Sequence, residues 1–398
     1  MRAADVPEPM EPATIATFLV AGAASLFMAW AIGAGSSGST PFAPAVGANA
    51  ISVMRAGFFV GILGLLGATL QGANVTEAVG RELVVGEPLG PVAAIVALSI
   101  AAALVAIGVF AGYPIATAFT VTGAVVGAGL AMGGGPAWPK YAEILGVWFT
   151  TPIVGGLIAY AIARLLRSKL VSEHLIVILL GGTIGAILAN VEFALLGPSG
   201  EAASVATAIA KSHLERIGIT LLGAGVAGGL LAVDLRRNPV AAEKRFLLVL
   251  GGLVAFSAGG SQVGLALGPM LPLVDGADVS VPLVALLFGG GVGLLIGSWT
   301  GAPRMIKAVA QDYSSLGPRR SIAALVPSFG IAQVAILLGV PVSFNEIIVS
   351  SIIGGGAAAA SGGVSGTKIG YTVLAWVGSL VGAGVLGYAG YLLVSTVV

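Results

Sequence analysis

The sequence predicts an all-α polytopic membrane protein of about twelve membrane segments, some of them broken or re-entrant. It predicts an inverted repeat of five plus five segments around two linking helices. Three observations carry this. The chain of 398 residues is 57% hydrophobic and only 9% charged, with mean hydropathy +1.04, whereas a soluble domain carries about 25% charged residues. Apolar runs of about 20 residues, the length that crosses the hydrocarbon, recur from end to end. And one short phrase occurs twice, as Gly112-Tyr113-Pro114-Ile115-Ala116-Thr117 and as Gly339-Val340-Pro341-Val342-Ser343-Phe344.

The apolar runs place spans at 13–33 (continuing brokenly to 51), 54–71, 91–112, 114–132 and 141–163. Two more lie at 174–196 and 217–233. The last five lie at 246–273 (broken near Gly259), 282–300, 321–340, 341–360 and 369–397. Units follow at 1–170, 171–240 and 241–398. Each copy of the duplicated phrase sits in a long apolar run, and about 35 residues on comes a tryptophan, Trp148 or Trp376. Proline-interrupted apolar segments at matching places in two halves point to a secondary transporter's binding site.

Cytoplasmic loops carry the excess of Lys and Arg. With these spans, 13 of the 18 basic residues fall on one side, in clusters around Arg164, Arg236, Arg245, Arg304 and Arg319, with Arg55 and Lys368. That side is read as cytoplasmic. The other receives Asp5, Glu8 and Glu11, then Glu77, Glu82 and Glu87, then Asp275 and Asp278. Both termini are then outside. An odd number of spans per copy, with an even linker, turns the second copy upside down. The acidic N-terminus is unlike the basic start of a signal peptide, so the first run is expected to stay as a helix.

There is no cysteine, which excludes a disulfide framework, thiolate metal sites and cysteine nucleophiles. A net charge of +1 points to no nucleic acid. The 62 glycines let membrane helices approach closely.

Four stretches resemble the inorganic phosphate transporter (PiT) family. They are the segment from Gln71 to Glu77; Trp148-Phe149-Thr150-Thr151-Pro152 with Gly155-Gly156-Leu157; the run from Ala255 to Pro269; and Leu374-Ala375-Trp376-Val377. The resemblance covers nearly the whole chain and implies phosphate transport coupled to an ion, in a possible homodimer. The chain departs from the family's two signatures. The first appears as the run from Gly33 to Ala43. In the second, Ser261 and Gln262 stand in place of Asn-Asp. Both signature aspartates, which in the family help bind sodium, are absent.

No Lys or Arg falls at midplane depth in these spans, so an anion must be met by neutral donors. Proline suits the first turn of a helix, so Pro114 and Pro341 are expected to start helices inside the membrane. Free N–H groups and the helix dipole there make an anion site. Thr117 in one copy, with Ser343 and Asn345 in the other, adds donors just after the proline. The broken segments add Ser36, Ser37 and Ser39, and Ser261 and Gln262. Other hydroxyls, such as Thr120 and Thr122, are expected to bond back to their own helix. Asn49 and Asn74 are read as structural.

Glu346, five residues into a membrane segment, is the exception. An intramembrane carboxylate is costly and by default marks a functional site. It is read as the group that binds the coupling ion, H⁺ first and Na⁺ second. Glu192, near the outer end of its span, is read as less important. The stretch 201–216, with Lys211, His213 and Glu215, reads as an outer amphipathic surface, and His174 as a solvated residue at a helix start.

The expected function is therefore an ion-coupled symporter of inorganic phosphate in the plasma membrane, with sulfate or another oxyanion as the alternative substrate. A membrane enzyme would need catalytic groups at depth, and neither a zinc pair nor a Ser/His dyad is present; no cofactor or metal is expected. An uncoupled channel stays open as an alternative because both signature aspartates are lost. No nucleotide-binding loop appears, so ATP drive is not indicated.

Overall fold

In the computed structural model, residues 12–397 are described apart from 87, 169, 195, 197–201, 277–280, 314 and 359–363. Asp5, Glu8, Glu11, Glu87 and Asp278, and the first residue of the 201–216 stretch, lie outside the described residues. So does the end of the predicted span 341–360.

The first half holds α1 (Pro12–Gly35), the short α2 (Ala43–Gly47), α3 (Val53–Gln71), α4 (Ala73–Arg81), α5 (Pro91–Ala111), α6 (Thr117–Ala131) and α7 (Trp138–Leu165). The linking part holds α8 (Glu173–Asn190), α9 (Val205–Ile209) and α10 (His213–Arg237). The second half holds α11 (Pro239–Leu267), α12 (Leu271–Asp275), α13 (Leu283–Thr300), α14 (Ala302–Asp312), α15 (Pro318–Leu337), α16 (Phe344–Ala357) and α17 (Gly366–Ser395). Among the described residues, ten helices are long and apolar enough to cross a membrane, and α6 and α16 are shorter apolar helices. The remaining order is two small antiparallel pairings, Val84–Val85 with Gly135–Pro136 and Glu192–Phe193 with Ala203–Ser204.

Packing in the two halves follows one pattern. α1 lies on α13, and α11 lies on α3. α6 lies on α17, and α16 lies on α7. Each of these pairs joins one half to the other, while α1 on α5, α5 on α6, α11 on α15 and α15 on α16 pack within a half. Glycine sets the spacing. A Cβ on Gly33 would stand 2.2 Å from the Leu294 carbonyl oxygen, and one on Gly259 would stand 1.9 Å from that of Gly64. On Gly127 it would stand 2.0 Å from the Gly384 carbonyl, and on Gly354 2.0 Å from that of Gly156. Lipid tails are as apolar as leucine, so close backbone approach is what holds such pairs together.

Three sequence expectations are corrected. The eleventh helix does not break near Gly259; it continues to Leu267, and the irregular turn is Gly268–Met270. Gly259 and Gly260 serve contact with α3 rather than unwinding. And Pro114 and Pro341 do not start helices. α6 begins at Thr117 and α16 at Phe344, three residues beyond each proline. The second linking helix also starts earlier than expected, at His213, capped by Ser212.

The ends of the bundle carry the charge. Arg319 pairs with Glu173, Arg245 with Asp234, and Lys368 with Asp312 at one end. Arg81 pairs with Asp275, and Lys140 with Glu82 and Glu143, at the other. These are the two sides that the charge pattern separates.

Candidate functional site: two half-helices and a buried polar ring

The duplicated phrase folds twice in the same way. α5 ends in a left-handed Gly112 (φ 74°) and α15 is followed by a left-handed Gly339 (φ 63°). The amides of Tyr113 and Val340 bond back to the carbonyls of Gly108 and Ala335, the pattern of a glycine-terminated helix. Four extended residues follow, and then a half-helix of 15 or 14 residues begins. The proline belongs to this extended connector. Its carbonyl is held from the other half of the chain: Trp148 Nε1 donates to Pro341 O, and Trp376 Nε1 to Pro114 O, both at 2.8 Å.

The starts of α6 and α16 meet. Asn345 Nδ2 donates to the Ile115 carbonyl at 2.6 Å and to the Gly35 carbonyl at 2.9 Å. Gln262 Nε2 donates to Thr117 Oγ1 at 3.0 Å and to the Val342 carbonyl at 3.1 Å. Thr117 Oγ1 lies 3.4 Å from Ser36 Oγ. Thus the end of α1, the last turns of α11 and both half-helices are tied into one place. Neither half-helix has its first amides capped by a side chain at the N-cap, so the orphan N–H groups of a helix start face this place on two sides.

All eight predicted residues are buried: Ser36, Ser37, Thr117, Ser261, Gln262, Ser343, Asn345 and Glu346 are each at most 1% exposed. The buried polar residues among those described include no Lys or Arg. Among the described residues, eight buried side-chain polar atoms have no hydrogen-bond partner in the protein, and six belong to this set: Ser37 Oγ, Ser261 Oγ, Ser343 Oγ, Gln262 Oε1, Asn345 Oδ1 and Glu346 Oε2. A buried polar group left unpaired costs about 1–3 kcal/mol, so six in one ring are held there against a sizeable penalty. The two amides are oriented by their neighbours. Asn345 donates to two backbone carbonyls and Gln262 to one carbonyl and the Thr117 hydroxyl, so each must turn its oxygen inward. The ring therefore offers three hydroxyls, three acceptor oxygens and two helix starts.

Several residues sort differently from the sequence reading. Ser39 belongs to the turn, where its Oγ and the Oγ1 of Thr40 both donate to the Ser36 carbonyl. Thr120 bonds back to Ala116 as expected, but Thr122 Oγ1 is buried with no partner. Asn49 takes a left-handed conformation (φ 55°), a role in the chain turn. Sequence reasoning missed a second polar string. Gln71 Nε2 donates to the Glu192 carbonyl at 2.9 Å and lies 3.3 Å from Gln333 Oε1, while Gln333 Nε2 donates to Ser257 Oγ at 2.6 Å. Two glutamines in apolar runs were the available signal.

A multi-pass helical bundle with two half-helices converging on a buried polar ring is the architecture of a membrane transporter. The profile of the phosphate transporter family matches residues 32–387, and the chain belongs to that family. It is 25% identical over 407 residues to a candidate phosphate permease of Pyrococcus horikoshii, covering 95% of this chain and 97% of that one. It is 24% identical over 407 residues to the chloroplastic inorganic phosphate transporter 2-1 of Arabidopsis thaliana, covering 88% of this chain and 68% of that one. A solved structure described as the sodium-dependent phosphate transporter shares the fold, with a TM-score of 0.80 at 23% identity, over 96% of this chain and all of the other.

Proposed function

We propose that this protein carries inorganic phosphate across the plasma membrane by symport with a cation, and that the buried ring is where both bind. One observation carries the reading: among the described residues, six of the eight partnerless buried polar atoms belong to residues around the two half-helix starts. Ser37, Ser261 and Ser343 donate to phosphate oxygens, together with Ser36, Thr117 and the free amides of α6 and α16. Neutral donors and helix dipoles suffice to hold an oxyanion.

The three acceptors favour phosphate over sulfate. At neutral pH phosphate carries a proton that needs an acceptor, and sulfate carries none. A site built to accept a hydrogen bond rejects the analogue that lacks the donor. Gln262 Oε1 and Asn345 Oδ1 serve the phosphate hydroxyl. Glu346 is the coupling group, in place of the two lost signature aspartates. It holds either H⁺ or Na⁺, and the sodium dependence of the structural relative makes Na⁺ the cation to test beside H⁺.

The units 1–170, 171–240 and 241–398 are the first repeat, the linking helices and the inverted second repeat. Their support is the matched packing of α1 on α13 with α11 on α3, and of α6 on α17 with α16 on α7. A homodimer is proposed on the family resemblance alone. Uptake of radiolabelled phosphate into proteoliposomes, under a sodium gradient, a proton gradient or neither, tests the function. Concentrative uptake under one gradient, with sulfate a poor competitor, is the expected result. Folded protein that moves no phosphate under any gradient would overturn it.

A further inference from the structure

A cavity of about 830 Å³ lies between α7, α8 and α15, beside the end of α3. Asn190 and Glu192 line it at the end of α8 that the charge pattern places outside. Thr69, Thr150 and Thr183 line it, but each bonds back to the carbonyl four residues earlier in its own helix. Their hydroxyl protons are thereby committed, as is that of Ser257, which donates to the Leu253 carbonyl; their oxygens keep a lone pair. Glu192 is the only charged residue among the described lining residues, and no Lys or Arg is present.

The floor is polar and leads inward. Gln71 lines the cavity, is 6% exposed, and has a buried Oε1 with no partner. Its Nε2 is committed to the Glu192 carbonyl and to Gln333, so the free oxygen is an acceptor by necessity. Gln333 continues the string to Ser257. Ser257 lies four residues, hence one helical turn on the same face, from Ser261 of the buried ring. Gln71 also packs on Gly260, where an added Cβ would stand 2.7 Å from its own Cβ. The end of α15, with Leu337 and Leu338, closes the remaining wall.

We propose that this cavity is the outer vestibule of a monovalent cation, which enters past Glu192 and is passed by Gln71, Gln333 and Ser257 to the ring at Ser261. This rests on the coupled-carrier reading. Most of the cavity wall is apolar; hard cations take oxygen ligands, and the oxygens of Gln71, Gln333, Ser257 and the Glu192 carbonyl are what the floor presents. A low-dielectric cleft with one negative charge and no positive charge concentrates cations and repels anions.

The cysteine-free chain makes the test direct. Gln71→Cys and Thr151→Cys, at the floor and wall, are made with Asn190→Cys at the mouth. Each is exposed in intact cells to membrane-impermeant thiosulfonate reagents, one trimethylammonium and one sulfonate, and labelling is read as a mass shift. Rates are normalised to those with a free thiol. The expected result is labelling of the floor and wall cysteines at least about tenfold faster by the cation, with the preference lost when Glu192→Gln is added. Labelling at Asn190→Cys with neither deep cysteine reached would overturn the proposal and leave an apolar groove for lipid. Equal rates for the two reagents would overturn the cation selection. Because labelling is read apart from transport, failed uptake with intact cation-selective labelling would remove only the carrier reading.

Discussion

Trp148 of the first half donates its indole N–H to the carbonyl of Pro341 in the second, and Trp376 returns the same bond to Pro114. Each half-helix is thus aimed by a tryptophan from the opposite half. The pair explains why proline and tryptophan recur together at about 35 residues: they never meet within one copy, only across copies.

Replacing either indole is expected to destabilise without emptying the core. Trp148→Phe keeps the aromatic stack on Phe119, whose ring centroid lies 3.9 Å away, but leaves the Pro341 carbonyl unpaired. The cost is about 1–3 kcal/mol, with a similar cost for Trp376→Phe. Equal unfolding midpoints in detergent for both variants and wild type would show that these bonds do not hold the connectors.

Serine removal separates site from scaffold. Ser37→Ala, Ser261→Ala and Ser343→Ala each delete a hydroxyl with no protein partner. Thermal stability should hold or rise, as at sites where function is kept at the expense of stability. Phosphate affinity should fall by about 10-fold to 100-fold each, since a hydrogen bond to a charged group contributes about 1.5–3 kcal/mol. Binding isotherms on purified protein decide this; unchanged affinity in all three would remove the serines from the site.

Glu346→Gln keeps the shape and removes the titrating group. Uptake is expected to become insensitive to the driving gradient and to equilibrate rather than concentrate phosphate. Accumulation above the external level by this variant, still responsive to the gradient, would exclude Glu346 as the coupling group.

Glycine substitutions should divide sharply. Gly259→Ala drives a methyl to 1.9 Å from the Gly64 carbonyl and must push α11 off α3, so folded yield should collapse. Gly225→Ala, on exposed α10 with nothing within 4 Å of the new carbon, should be neutral or gain about 0.5–1 kcal/mol. The yield of monodisperse protein after extraction reads both.

Tyr313, beyond the end of α14, is pushed up to about 12 mainly by burial, and its hydroxyl meets Thr372 Oγ1 at 2.7 Å. The folded state therefore favours the neutral phenol. That share of stability is complete below the ordinary tyrosine value of 10.0 and is lost as pH rises through about 12. Tyr313→Phe should lose less stability than wild type across that interval, as followed by chemical denaturation.

The composition and the spacing of apolar runs made the helices legible, because hydrocarbon leaves a backbone no stable spanning choice but a helix or a closed barrel. The duplicated phrase also marked the ring: Thr117, Ser343, Asn345 and Glu346 all follow its prolines. The unbroken α11 was not legible. Gly259 and Gly260 read the same whether glycine unwinds a helix or lets another backbone touch it, and only the position of α3 distinguishes the two. The glutamine string was equally hidden, since Gln71 and Gln333 stand 262 residues apart.

The sequence by itself determined a lipid-embedded helical bundle, its charge pattern and the two places where a proline interrupts an apolar run, though not that each proline lies in an extended connector ahead of its helix. Those are local consequences of residue type, length and period. Tertiary structure alone decided which half-helix faces which, that each proline carbonyl takes its bond from the other half, and that six polar atoms share one buried ring. Hydrogen bonds and glycine contacts act over a few ångströms between residues hundreds apart in the chain, and no pattern within one segment records them.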